Sequence, residues 1–422
     1  MFKNNRNYAW FIWVLAAGFF FAEYVARVAP SVMVPHLMRA FQVNAFQLGS
    51  LSAFFYYAYV AMQIPAGVLV DKYGPHKLLT ILAVFCGVSV LIFAGSHDLR
   101  VAEISRFIMG FSAAFAFVGA LKLASVWFPP SRFGFLAGST QAIGMLGAAI
   151  GEGAVSVLVE HIGWRDAMYL VGFILVVLGI MIGFIVKDKP TETLSPLAPK
   201  AQCKKYSLLK GLLIVLKNPQ TWINGIFVGF LYAPTAAFAE LWGPAYLHRV
   251  YDLRVEVAAS AVSMIFIGWM IISPIAGWVS DRIGRRKPVM LVSVIASLFC
   301  MSCVLYLPDL SKITIFILLF LYGLSNVGVA TSFAVACECN PRPIAGTSMS
   351  FANMASVIIG AGFQPIIGWI LDLNWNHKIL HGVRHYSMHD FRIAMLLLPL
   401  CFIISFVAWC YIKETANYSV DF

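Results

Sequence analysis

Long apolar runs, separated by short polar stretches, dominate the chain. Twelve of these runs are long enough to cross a bilayer as a helix, which takes about 20 residues. Helices are expected because a span in lipid must satisfy its backbone polar groups within its own segment. The predicted spans are 9–33, 45–70, 78–96, 103–127, 133–158 and 164–186, followed by 219–247, 256–279, 288–307, 313–338, 343–371 and 390–412.

The longest polar segment, 187–218, lies between the sixth and the seventh run. It contains seven lysines and three prolines, a composition typical of a linker. The sequence therefore predicts an N-terminal six-helix bundle over 1–186, a cytoplasmic linker over 187–218 and a C-terminal six-helix bundle over 219–422. The fold class is an all-α membrane protein with two pseudo-symmetric bundles.

Composition and charge agree with this pattern. The chain is 60% hydrophobic and 12% charged, whereas soluble proteins carry about 25% charged residues. The net charge of +11 comes largely from loops on the side of the two termini and the linker. Such a bias predicts cytoplasmic termini and argues against a nucleic-acid partner. The eight cysteines lie mostly in apolar runs and have no disulfide or zinc spacing.

Two loops repeat each other at a distance of 210 residues. GVLVDKYGPHK (67–77) and GWVSDRIGRRK (277–287) share glycine, aspartate, a basic residue, a second glycine and a final lysine at identical spacing. Arg132 and Arg342 keep the same offset, each after the fourth span of its half. The chain therefore reads as two copies of one six-helix unit, the parallel-repeat plan of many secondary transporters.

The repeated pattern G-x-x-x-D-[KR]-x-G-x-x-K resembles the cytoplasmic signature loop of the major facilitator superfamily. The resemblance implies two bundles that rock around a central site, and a charge network that holds the outward-open state. The alternative is that these residues only set the membrane topology and form turns. The predicted latch consists of Gly67, Asp71, Gly74, Asp281, Arg285, Glu338 and Arg342, in which Glu338 and Arg342 would meet Asp281 and Arg285.

Two further stretches and the first span resemble the anion:cation symporter group of that superfamily. They are 47–74, 106–134 and the pattern Y24-x-x-R27-x-x-x-S31. The resemblance implies a bacterial inner-membrane carrier of organic anions in which Arg27 contacts the anion. The group has an aspartate directly before this arginine, whereas this chain has Ala26. Glu23, one turn earlier on the same helix face, is available to replace it.

Charged residues deep inside a span are costly, and they mark candidate functional positions. Glu23, Arg27, Glu152 and Glu240 lie too far from an interface to reach water, while Arg106 and Lys122 are expected to snorkel. The three carboxylates are candidates for proton coupling, and the alternative is a fixed Glu–Arg pair that joins helices. The candidate substrate-binding residues are Arg27, Tyr56, Tyr57, Gln63, Tyr232, Asn326, Asn353 and Gln364, each of which could instead serve helix packing.

Two other motifs are predicted to serve structure. Gly138, Gly147 and Gly151 have the spacing of a drug-exporter motif, but Glu152 replaces its proline, so helix packing is expected. HKILHGVRHYSMHD places four histidines four residues apart. Gly382 interrupts this run in an outer loop, so a solvated loop is expected and no metal; pH sensing is a further alternative.

The sequence thus predicts proton-coupled symport of a small organic anion by a monomer that needs no cofactor. The expected partners are the anion, protons or another coupling cation, and the lipid bilayer. Alternatives are a carrier of amino acids or short peptides, an exporter of a siderophore or toxic compound, and a receptor without transport. An enzyme is not expected, because no span has nucleophile–base pairing or metal-ligand spacing.

Overall fold

The computed structural model describes residues 5–129, 132–188, 208–380 and 383–415. Within these ranges, the side chains at 5, 6, 208, 209, 276–281 and 342 are not described. The first half contains α1 (Asn5–Val28), a 3-10 turn (Ala29–Met33), α2 (Val34–Phe41), α3 (Ala45–Tyr73), α4 (Pro75–Gly95), α5 (Leu99–Trp127), α6 (Phe133–Ile162) and α7 (Trp164–Ile185).

The second half begins after the short helix α8 (Leu208–Lys217). It contains α9 (Pro219–Pro234), a π-helical segment (Thr235–Trp242), α10 (Gly243–Tyr251), α11 (Val255–Ile283), α12 (Lys287–Tyr306), α13 (Lys312–Ser325), α14 (Val327–Glu338), a 3-10 turn (Arg342–Ile344), α15 (Ala345–Leu373), α16 (Met388–Ala394) and α17 (Leu397–Tyr411). An antiparallel ribbon of β1 (Ile379–Leu380) and β2 (Val383–Arg384) lies between α15 and α16.

The described residues form twelve helical spans that are long and apolar enough to cross a membrane, which confirms the predicted number. The first span continues to Phe41, past the predicted end at 33, because the 3-10 turn carries the chain on into α2. The tenth is interrupted between α13 and α14 at Asn326. Most other spans extend past their predicted bounds at one end, and several stop short of them at the other.

Close backbone contacts at glycines hold each half together. A Cβ at Gly110 of α5 would lie 1.8 Å from the carbonyl oxygen of Phe55 in α3. Gly147 and Gly151 bring α6 against α1 in the same way, next to Phe21 and Val25. This confirms the predicted packing role of these two glycines.

The two halves meet along α3 with α15 and along α6 with α11. We call the end of the spans near Ile185 and Pro219 the linker end, and the end near Ala45 and Leu373 the far end. At the far end, a Cβ at Gly49 would lie 2.6 Å from the carbonyl oxygen of Gln364, and one at Gly368 would lie 2.3 Å from that of Ala45. The backbones of α3 and α15 therefore touch at the far end.

At the linker end the same two helices lie apart. A Cβ at Gly67 of α3 or at Gly346 of α15 would meet no described atom within 4 Å. Gly67 follows Gln63 by one turn and Gly346 precedes Asn353 by two turns, so both lie on the stripes through which the helices face each other. The structure is thus closed between these helices at the far end and splayed at the linker end.

Candidate functional site

A buried cluster of charged and aromatic side chains lies where α1, α3, α5 and the π segment meet. Arg27 is 1% exposed, and its Nη2 lies 3.1 Å from Oε1 and 3.3 Å from Oε2 of Glu23. The guanidinium also lies 4.0 Å from the ring centroid of Tyr24 and 4.7 Å from that of Tyr59. Glu23 and Arg27 therefore share one helix face, as their spacing predicts.

Arg106 is a member of the cluster that the sequence did not reveal. It is fully buried, and it donates to the carbonyl oxygens of Ala26 at 3.0 Å and Arg27 at 3.3 Å. The prediction that Arg106 snorkels outward is therefore wrong. Asp98 caps α5 and starts it at Leu99, which places Arg106 two turns inside the span. That cap was the available sequence signal.

Glu240 joins the cluster from the second half. It lies in the π-helical segment that follows Pro234, and it accepts hydrogen bonds from Tyr232 at 2.7 Å and from Tyr56 of α3. Gln364 of α15 donates to the carbonyl oxygen of Ala236 at 2.9 Å and so supports the segment. The bond from Tyr56 to Glu240 is a direct polar contact between the two halves.

Glu152 lies apart from the arginines. Its Oε1 accepts a hydrogen bond of 2.5 Å from Ser31 in the 3-10 turn of the first span, and its Oε2 is buried with no described partner. No basic side chain is among its described contacts.

The remaining predicted substrate-binding residues separate into three groups. Gln63 and Asn353 form a hydrogen bond of 2.8 Å across the two halves. Asn326 fills the break after α13, where it bonds to Tyr322 and to Thr235 at the start of the π segment. Tyr57 is 43% exposed and packs against Phe54, outside the cluster. One helical position turns it by about 100° from Tyr56, which contacts Glu240. Its role in substrate binding stays a prediction.

The linker-end charge network differs in detail from its prediction. Glu338 pairs with Arg286 at 2.7 Å, whereas the expected partner Arg285 is exposed. Arg286 is the N-cap residue of α12 and turns toward Glu338, which also accepts a bond from Thr415. The side chains of Asp281 and Arg342 lie outside the described residues.

In the first half, the network consists of a pair between Asp71 and Lys122 at 2.6 Å. Lys122 is 37% exposed, in agreement with its expected snorkelling. Gly74 has a φ of +82° at the turn between α3 and α4, a conformation that favours glycine. The pairs Asp71–Lys122 and Glu338–Arg286 each lie within one half, so neither of them joins the halves at this end.

The histidine-rich stretch is not one continuous helix: its middle forms a ribbon, and its last histidine, His389, lies in α16. Residues 379–380 pair with 383–384, and His377 has a φ of +62°. His381 lies outside the described residues. The part of the chain that the structure describes contains no group of three or more potential ligands that could hold a metal ion.

This architecture agrees with comparisons of the whole chain. A model of the Major Facilitator Superfamily matches residues 14–365, so the chain belongs to that superfamily and is a multi-pass membrane protein of the transporter type. A bacterial homologue of the human lysosomal transporter Spinster, solved in an inward-facing and unoccupied conformation, covers 96% of each chain with a TM-score of 0.78. Its sequence identity is 12%, so that likeness shows the fold alone.

Three sequence relatives differ in the function that their names give. The probable sulfoacetate transporter SauU of Cupriavidus necator is 25% identical over 384 residues, which cover 85% of this chain and 86% of SauU. The probable galactarate/D-glucarate transporter GudP of Escherichia coli is 23% identical, with 87% and 88% covered. The membrane sensor protein UhpC of Escherichia coli is 23% identical, with 85% and 83% covered.

Proposed function

We propose that the protein carries a small organic anion across the membrane by alternating access, with Arg27 as the counter-charge of the anion. The observation that carries the proposal is the burial of Arg27 beside α3 and the π segment, where the two halves meet. Its guanidinium is bordered by Tyr24, Tyr59 and Phe55, and the Glu23 carboxylate faces it. An arginine fork in such surroundings is well suited to a carboxylate or sulfonate.

The relatives support an anionic substrate. Sulfoacetate, galactarate and glucarate, after which SauU and GudP are named, all carry acidic groups. The buried pair Arg27–Glu23 provides a place where such a group can exchange with the protein's own carboxylate. Binding would then substitute one ion pair for another, and the displaced Glu23 would have to take up a proton, because an unpaired charge is costly in a dry interior.

We infer that the linker end is cytoplasmic. The linker contributes seven lysines, and the loops at the same end carry Lys72, Lys77, Arg285 and Lys287. Positive residues concentrate on the cytoplasmic side of bacterial inner-membrane proteins. In this orientation the far end faces outward, and the described state is closed to the outside between α3 and α15.

Proton coupling is the finer part of the proposal, and three carboxyl groups are its candidates. Glu23 would take up a proton when the anion displaces it from Arg27. Glu240 would do so when Tyr56 separates from it as the halves move. Glu152 already lies without a described basic partner. Each is at most 1% exposed, so a change of protonation requires that the site open to one side.

The substitution Arg27→Lys tests the site. It keeps the positive charge, and so the balance with Glu23, but removes the planar fork. A charged hydrogen bond contributes about 1.5–3 kcal/mol, so uptake of sulfoacetate, glucarate or another bound acid into proteoliposomes should fall about 10- to 100-fold. Arg100→Lys, at an exposed position on α5, is the matched control and should transport normally.

Full transport by Arg27→Lys and by Arg27→Ala would remove Arg27 from the site. The alternative of an amino-acid or short-peptide carrier would be favoured if zwitterionic amino acids or short peptides raise the melting temperature of the protein more than simple acids do. Efflux in cells without uptake would favour an exporter. The relative UhpC supports one further candidate, a sensor, which would bind the anion without carrying it.

A further inference from the structure

The far end carries a second polar cluster that joins the two halves. Asp372, at the end of α15, accepts a hydrogen bond of 2.9 Å from the backbone N–H of Phe46 and a weaker one of 3.4 Å from that of Ala45. These are first-turn donors of α3, which have no partner within their own helix. The positive end of the α3 dipole adds to the attraction for the carboxylate.

Two residues of the ribbon segment hold Asp372 in this position. Arg384 donates to its Oδ1 at 2.9 Å, and the Tyr386 hydroxyl donates to the same atom at 2.5 Å. The Tyr386 hydroxyl also accepts from the N–H of Ala45 at 3.1 Å. Arg384 is fixed in turn over the ring of Trp375, 4.3 Å from its centroid. The carboxylate is therefore oriented by the second half and bound to the first.

The cluster lies at the contact between α3 and α15, where the two halves must separate for the far end to open. Next to it the backbones of α3 and α15 touch at Gly49 and Gly368, and toward the linker end the same helices diverge. Any motion that opens the far end must take Ala45 and Phe46 away from Asp372. The carboxylate would then exchange its two N–H donors for water, and the Tyr386 hydroxyl would lose the N–H of Ala45.

We propose that Asp372 is the gate residue of the far end, positioned by Arg384 and Tyr386, and that it sets the balance between the state closed there and the state open there. This inference rests on the proposed alternating-access function and adds its control point. Arg384 and Tyr386, from the described part of the histidine-rich stretch, would thus support the gate.

The experiment measures hydrogen exchange by mass spectrometry on the full-length protein in detergent, without substrate, in wild type and Asp372→Asn. The amide keeps the size of the side chain but loses the charge and one acceptor oxygen. Loss of a charged hydrogen bond should shift the balance about tenfold toward the far-end-open state. Exchange should therefore rise in 45–50 and 364–373.

The decisive readout is at the opposite end. A gate also predicts slower exchange in 67–73 and 345–350, because the linker end closes as the far end opens. A mere helix cap would loosen only the first turn of α3. Faster exchange confined to 45–46, or no change in either region, would overturn the proposal.

Glu160→Gln is the matched control. It removes another pair between the halves at the far end, Glu160 with Arg254 at 3.2 Å, whose side chains are 43% and 75% exposed. Exposed pairs contribute little, so exchange should stay as in wild type. Arg384→Gln and Tyr386→Phe should reproduce a smaller shift in the same two regions, and they carry the test if Asp372→Asn does not fold.

The measurement requires no substrate. It can therefore fail while organic-anion transport is demonstrated, and transport of organic anions can fail while the reciprocal exchange pattern is found.

Discussion

The pairing of Glu23 with Arg27 gives the first span both its charge balance and its candidate coupling group. The i to i+4 spacing brings the two side chains together within one helix, and burial keeps water from competing with the pair. Removing one partner of a buried ion pair lowers the stability of a protein by about 3–5 kcal/mol, because the other charge is left unpaired. A substrate anion can fill that place, so the protein should respond to the loss of Glu23 in a way that depends on ligand.

We predict that Glu23→Gln binds the anion at least as tightly as wild type, because glutamine no longer competes for Arg27. Its uptake should not accelerate under an imposed pH gradient, since the amide takes up no proton. Proteoliposome uptake at matched and unmatched pH measures both quantities, with the half-exposed Glu160→Gln as control. If Glu23→Gln still follows the gradient fully, the proton is carried elsewhere, with Glu240 and Glu152 next in order.

A sequence shows the type and position of each residue but not the environment of its side chain, and this decides which residues of the cluster can be predicted. Charges inside apolar runs are visible, so the sequence alone predicts Glu23, Arg27 and Glu240 as candidates. The burial of Arg106 and the exposure of Tyr57 are not visible in the sequence, because they depend on the start and rotation of a helix. An error of one position turns a side chain by 100°, from the cluster toward the surroundings.

At the scale of elements, small residues decide how closely the helices around Arg27 approach. Gly110 lies one turn after Arg106 on α5, directly against the backbone of Phe55. The ring of Phe55 in turn lies 5.1 Å from the guanidinium of Arg27 and 5.0 Å from that of Arg106. A methyl group at Gly110 would have to push α3 away and so disturb the cluster.

We predict that Gly110→Ala lowers the stability of the protein by about 1–3 kcal/mol, the usual cost of overpacking, and weakens anion binding with it. Gly362→Ala is the matched control on α15, where a Cβ meets no described atom within 4 Å. It should leave stability unchanged or raise it slightly through better helix propensity. Thermal unfolding in detergent compares the two, and equal melting temperatures would contradict the packing argument.

The π-helical segment is the element that the sequence concealed. Hydropathy predicts one continuous span over 219–247, and residues 235–242 are as apolar as the helix that precedes them. A π segment differs from an α-helix in the carbonyl oxygen to which each N–H donates. Here tertiary hydrogen bonds, such as that from Gln364 to the carbonyl oxygen of Ala236, stabilise the segment. Pro234 and Pro244, which flank the segment, are the sequence features that marked a disturbed helix.

At the scale of the whole molecule, the twelve spans and the two-fold repeat were predictable, whereas the conformational state was not. Span number follows from the length of apolar runs, and the repeat follows from loops 210 residues apart. The closed far end depends on contacts such as Ala45 with Asp372, separated by 327 positions. The choice of Arg286 over Arg285 as the partner of Glu338 depends on the direction of a single N-cap residue.

The near-complete burial of Arg27 has a kinetic consequence. A ligand cannot reach a guanidinium that is 1% exposed until the protein opens, so opening precedes encounter. The observed association rate should level off with rising anion concentration, at a plateau set by domain motion on the microsecond-to-millisecond scale. Stopped-flow tryptophan fluorescence, with Trp269 packed against Tyr232, can follow it. A rate that grows linearly at all concentrations would show that the arginine is already accessible. A hyperbolic dependence would show that opening of the protein limits the rate at which the anion enters the transport cycle.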